Sequence, residues 1–114
     1  MPRASRAATA LPPQSTRAIA RLGKDIATAR KRRRMPQRLM AERMLVSLQT
    51  LQRLEAGDPT VGLAVLAAAL FVLGMTQRLE NLVAPESDPA GTAEEISRLP
   101  RNAHAPRDGA DLDF

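Results

Sequence analysis

Three long polar side chains close together in the chain, Gln49, Gln52 and Arg53, are the residues best suited to chemistry. In the major groove of duplex DNA an amide can pair bidentately with adenine, and a guanidinium with guanine. At about 100° per residue, Leu51 and Leu54 mark one face of a helix over this segment, and Gln49, Gln52 and Arg53 point away from it. Ser47 reads as the N-cap of that helix. Ser47 and Gln49 stand near its N-terminus, where a groove-reading helix usually touches bases. Gln37 begins the preceding helix, a position suited to binding a phosphate. Arg38 and Thr50 complete a candidate DNA-binding set of Gln37, Arg38, Ser47, Gln49, Thr50, Gln52 and Arg53. Exposed Gln and Arg are also ordinary on any solvated helix, so the surrounding elements must decide.

Other chemistries lack their parts. The chain has no Cys, hence no disulfide framework and no thiolate metal site. The single His, His104, sits in a Pro-containing stretch, so neither a catalytic triad nor a multi-His metal site can be assembled. No carboxylate pair stands beside a cleft-forming motif. The expectation is a protein without enzymatic activity, metal or cofactor.

Charge is unevenly placed over the 114 residues. Residues 1–38 hold eleven Arg or Lys against one acid, Asp25, whereas residues 39–114 hold six Arg against eleven acids. A basic front half suits a polyanion, most often nucleic acid. The apolar run from Val61 to Met75 spans 15 residues, short of the ~20 a membrane-crossing helix needs. No signal-peptide-length apolar stretch follows Arg3 and Arg6, so a cytoplasmic protein without membrane association is expected.

An aliphatic core of Ala, Leu, Val and Met, with only Phe71 and Phe114 as aromatics, favours helix-on-helix packing. Residues 1–15 read as a flexible basic arm. Ile19, Leu22, Ile26 and Ala29 mark the buried face of a helix from Thr16 that ends in the run Arg30–Arg34. That run suits a helix C-terminus and can also meet phosphates. A second helix is expected from Pro36 to Met44, a third from Ser47 to Ala56 and a fourth, apolar all round, from Leu63 to Leu73. A fifth runs from Thr76 to Val83 with Leu79, Leu82 and Val83 inward. Residues 16–84 thus form an all-α, compact five-helix domain, and residues 85–114 a flexible acidic tail. The fourth and fifth helices offer more apolar surface than three short helices can cover, which points to a homodimer. Leu70, Phe71, Leu73, Leu79 and Leu82 are its candidate core or dimer residues.

The segment Gln37–Gly57, QRLMAERMLVSLQTLQRLEAG, resembles the Xre family of lambda-repressor-like helix-turn-helix proteins. Ala41 falls at the close helix crossing. Met40, Met44, Val46, Leu51 and Leu54 fall at the packing positions, Ser47 at the cap, and Glu55-Ala56-Gly57 at the closing Glu-x-Gly. The family usually places Gly at the turn, where φ is positive. Here the residue is Leu45, so the turn should be rebuilt, or its strain of roughly 1–2 kcal/mol absorbed by packing.

Further along, Asp58-Pro59 and Leu70-Phe71-Val72-Leu73-Gly74 are similar to the corresponding parts of HipB-type antitoxin regulators, which Arg98-Leu99-Pro100-Arg101 partly matches as well. That resemblance implies a homodimer that represses its own operon on double-stranded operator DNA and binds a HipA-type serine/threonine kinase toxin. Two other readings stand beside it. One is a stand-alone Xre-type regulator without a toxin; the other is a protein-interaction adaptor that has lost DNA binding.

Overall fold

The computed structural model describes residues 6–100. Among these, all regular structure is helical: α1 (Arg6–Thr9), α2 (Pro13–Arg32), α3 (Gln37–Met44), α4 (Leu48–Glu55), α5 (Leu63–Leu73), α6 (Thr76–Glu80), a 3₁₀ turn at Pro85–Ser87, and α7 (Pro89–Ser97). The five expected helices correspond to α2–α6. The two additional ones fall in the stretches read as arm and tail. The α7 helix shows no apolar period, yet its local signals are complete. Asp88 accepts the Gly91 N–H at 3.0 Å as N-cap, and Pro89 occupies the first helical position. The expectations for residues 1–5 and 101–114, His104 and Phe114 included, lie outside the described residues.

The described residues divide into two compact units, one reaching Glu80 and the other beginning at Asn81. The boundary was expected after residue 84. The difference arises because α6 stops at Glu80 and a separate turn follows, closed by the Ala84 N–H on the Asn81 carbonyl at 3.3 Å. Leu82 and Val83, expected to face inward, are exposed on that turn.

In the first unit α2 starts at Pro13, three residues before the expected Thr16, because Pro suits the first turn of a helix. Its buried face is Gly23, Ile26 and Arg30, while Leu22 is exposed. Met40 of α3 and Leu51 of α4 are wholly buried at the centre. Ile26, Met35, Ala41, Met44, Leu54, Ala69 and Leu73 surround them, and Val46 packs on the outside. Gly23 lets α2 and α4 approach to backbone contact. A Cβ there would lie 2.6 Å from the Leu54 carbonyl oxygen and 2.7 Å from that of Glu55. Helix α4 is thereby seated directly on α2.

The helices α2, α3, α4 and α5 all end in the same way. Each is followed by a residue in the left-handed region: Arg34 at φ 52°, Leu45 at 61°, Gly57 at 78° and Gly74 at 77°. The next N–H then returns five residues, from Met35 to Arg30 (3.2 Å), Val46 to Ala41 (3.0 Å), Asp58 to Arg53 (3.0 Å) and Met75 to Leu70 (2.7 Å). This is the Schellman arrangement that satisfies the last carbonyls of a helix. At Leu45 the turn is neither rebuilt nor packed. The residue keeps the left-handed conformation usual for Gly, and it is 91% exposed.

Of the candidate core residues in this unit, Leu70 and Leu73 are buried and Leu79 is half-buried. Phe71 is 75% exposed, so of its two candidate places, core or dimer surface, it does not take the core. A helix that is apolar all round gives no phase from which to tell its outer side. Here Leu63, Ala64 and Phe71 form that side.

Candidate nucleic-acid interface

Ser47 caps α4 as expected. Its Oγ accepts the Thr50 N–H at 3.0 Å and donates to the Thr50 hydroxyl at 2.9 Å. Ser47 is exposed at the N-terminus of α4, and the Thr50 side chain is held against it. Gln49 and Gln52 are exposed on the side of α4 away from buried Leu51 and Leu54. On α3, Arg38 and Arg43 are exposed and enter no ion pair among the described residues.

The two candidate amides on different helices meet. Gln52 Nε2 donates to Gln37 Oε1 at 3.4 Å, and Gln37 Nε2 donates to Glu55 Oε1 at 2.8 Å. Glu55 in turn receives Arg30, Nε to Oε2 at 2.6 Å and Nη2 to Oε1 at 3.0 Å. Arg30 Nη1 donates to the Met35 carbonyl at 2.9 Å. The side chains of Arg30 and Glu55 are only 9% and 8% exposed. A buried ion pair survives only with its lone pairs and protons satisfied, and here all three guanidinium nitrogens have acceptors.

Arg53, expected to point freely away from the core, is held by the loop after α4. Its Nε donates to Asp58 Oδ2 at 2.9 Å and its Nη2 to the Thr60 hydroxyl at 2.6 Å. Asp58 Oδ1 also accepts the Thr60 N–H and O–H. These hydrogen bonds, Thr60 first and then the Arg53 guanidinium, lower the Asp58 pKa to about 2. Arg53 therefore ties the end of α4 to the loop that leads into α5.

The basic run divides by location. Arg30 is buried in the ion pair and so is removed from the phosphate-facing candidates. Arg33 donates to the Ala29 carbonyl at 2.7 Å and to the Leu73 carbonyl at 3.1 Å, placing its charge on the C-terminus of α5. Lys31, Arg32 and Arg34 stay exposed without ion pairs among the described residues. These three, with Arg38 and Arg43, are the cations the first unit can offer to an anion around α3 and the end of α2.

The chain matches no protein-family model, no curated protein and no solved structure.

Two site residues escape a reading of the sequence. Arg30 looks like one member of a cationic run, and Glu55 like part of a closing motif. The usable signal is phase: Arg30 lies seven residues after Gly23 and four after Ile26, on the buried face of α2. Among the described residues no group of three His, Cys, Asp or Glu side chains is placed to hold a metal ion. None of their helices is long and apolar enough to cross a membrane.

Proposed function

We propose that this chain is a cytoplasmic, sequence-specific DNA-binding repressor of the Xre type. In this reading α2–α6 form the lambda-repressor-like domain, α3 and α4 its helix-turn-helix, and α4 its recognition helix. The observation that carries the reading is α4 itself. Buried Leu51 and Leu54 anchor one face, Ser47 caps its start, and Gln49 and Gln52 stand exposed on the other face. Such a helix can enter the major groove by its N-terminal end while Lys31, Arg32, Arg34, Arg38 and Arg43 meet phosphates. Gel-shift measurements at two salt concentrations, on a duplex selected from a random library and on unrelated duplexes, test this. A selected sequence bound much more tightly than the others, with steep salt dependence, supports the repressor. Salt-insensitive or absent binding to every duplex overturns it and leaves the adaptor reading.

The repressor acts as a homodimer, supported by the apolar strip Leu63, Ala64 and Phe71 that α5 leaves open. Sedimentation of wild type and Phe71→Ser tests this: the variant should fall apart at concentrations where wild type is dimeric. The antitoxin role rests on the resemblance to HipB-type regulators. Support within the chain comes from the second unit, whose exposed Glu86, Asp88, Glu94 and Glu95 flank exposed Ile96 and Leu99. Co-purification with a HipA-type kinase encoded beside it tests that role. Failure of capture with operator binding intact leaves the stand-alone regulator.

A further inference from the structure

We infer that a second copy of this chain inserts its Phe71 into an apolar hollow of the first, and that the exchange is reciprocal about a twofold axis at Ala67. This deepens the homodimer reading and rests on it. The hollow lies in the first unit, where α2, α4, α5 and the loop before α5 meet. Ile19 and Leu22 of α2, Leu54 of α4, Val61 of the loop, and Leu63 and Leu66 of α5 line it, and its volume is about 230 Å³. An apolar cavity of about 150 Å³ takes up benzene, so this hollow has room for a phenyl ring. Phe71 is the one aromatic side chain among the described residues, and it is mostly exposed.

A second copy is the occupant because the patch is complementary to itself. Leu63, Ala67 and Phe71 follow one another in steps of four residues, so they form one ridge along α5. Leu63 at one end borders the hollow, Phe71 at the other end stands out from the surface, and half-buried Ala67 is midway. A twofold axis at Ala67, with the two α5 helices antiparallel, sets each Phe71 beside the other copy's Leu63 and so at the mouth of that copy's hollow. Such a contact closes on itself, because what one copy gives it also receives. The small side chain of Ala67 lets the helices approach closely where they cross. Charge favours the antiparallel pairing over a parallel one. The end of α5 that bears Phe71 also holds the Arg33 guanidinium on the Leu73 carbonyl, whereas Asp58 lies in the lining of the hollow at the other end. A ring in the hollow touches α2 and α4 at once, so pairing braces the seat of α4.

The test uses the full-length chain, which contains no Cys. Sedimentation should show wild-type dimers. Ala67→Cys puts one thiol from each copy at the axis, and mild oxidation should link most chains into disulfide dimers, with the helix content by circular dichroism unchanged. Phe114→Leu leaves Phe71 as the only ring in the chain. In dimers mixed from methyl-labelled and unlabelled copies of that variant, the Phe71 ring of one copy should give nuclear Overhauser contacts to the Ile19 and Leu22 methyls of the other. Phe71→Ala should raise the dimer dissociation constant by roughly a hundredfold, since two buried rings are lost per dimer. A dimer that does not cross-link at residue 67, or whose ring contacts fall outside the hollow, overturns this inference and leaves the homodimer standing. Monomers at every concentration overturn both.

Discussion

The Arg30 guanidinium meets the Glu55 carboxylate edge to edge, Nε on Oε2 at 2.6 Å and Nη2 on Oε1 at 3.0 Å, and both side chains are largely buried. The pair joins α2 to the end of α4 from inside the first unit. Removing one member leaves a buried, unpaired charge. Glu55→Ala is expected to cost about 3–5 kcal/mol in urea unfolding, whereas the double replacement Arg30→Met with Glu55→Leu should recover most of that loss.

Gly23 offers a second check on how α4 is seated. The Leu54 and Glu55 carbonyls stand where a Cβ would go, and backbone cannot step aside as a flexible side chain can. Gly23→Ala should destabilise the protein by about 1–3 kcal/mol as overpacking does. If α4 reads DNA as proposed, it should also weaken DNA binding, because the helix that bears Gln49 and Gln52 is pushed outward.

Leu45 predicts the opposite sign. Its left-handed conformation costs roughly 1–2 kcal/mol, and an exposed side chain contributes almost no packing in return. Gly accepts the conformation but is more flexible when unfolded. The expected balance for Leu45→Gly is a gain of about 0.5–1 kcal/mol, read from denaturant midpoints, with the helix content by circular dichroism unchanged.

The Asp58 clamp sets a pH dependence. Its pKa is lowered from 3.8 to about 2 by Thr60 and Arg53, so the folded state favours the charged carboxylate. The stability it contributes is fully present above pH 4 and is lost as pH falls toward 2. Melting temperatures of wild type and Asp58→Asn should therefore differ at pH 5 and converge near pH 2. A constant gap across that range would show that the clamp does not act through its charge.

The basic run should respond residue by residue. Each phosphate contact contributes a slope of about 0.9 to the dependence of log affinity on log salt. If the proposed DNA binding holds, replacing Lys31, Arg32 and Arg34 together with Gln should flatten that dependence. Arg33→Gln should instead lower stability with the slope unchanged, since its guanidinium is committed to the Ala29 and Leu73 carbonyls.

Much of the first unit is legible in the chain because its signals are local. Ser47, Gly57 and Gly74 punctuate the helices, and the bounds of α3, α4 and α5 follow from them with the apolar period. What is not legible depends on partners distant in sequence. Arg30 meets Glu55 25 residues away, and a cation in a cationic run gives no hint of it. Arg53 does lie opposite the core in helical phase. The loop nevertheless folds back to it, because Asp58 and Thr60 form their own turn there. Phe71 sits in a helix without a polar side, so no phase separates its inner residues from its outer ones. At α7 the Asp88 cap and Pro89 stand in the chain, but no buried apolar stripe accompanies them.

The linked amides have a consequence for how such a protein could change its target. Positions 30, 37, 52 and 55 are bound into one chain of donors and acceptors, so a substitution at any of them is felt by the other three. Gln49 carries no such obligation. Under drift, the first four positions should vary together or hold still, and, if α4 reads DNA as proposed, new target preferences should arise at residue 49, where a change is tried without wagering the core.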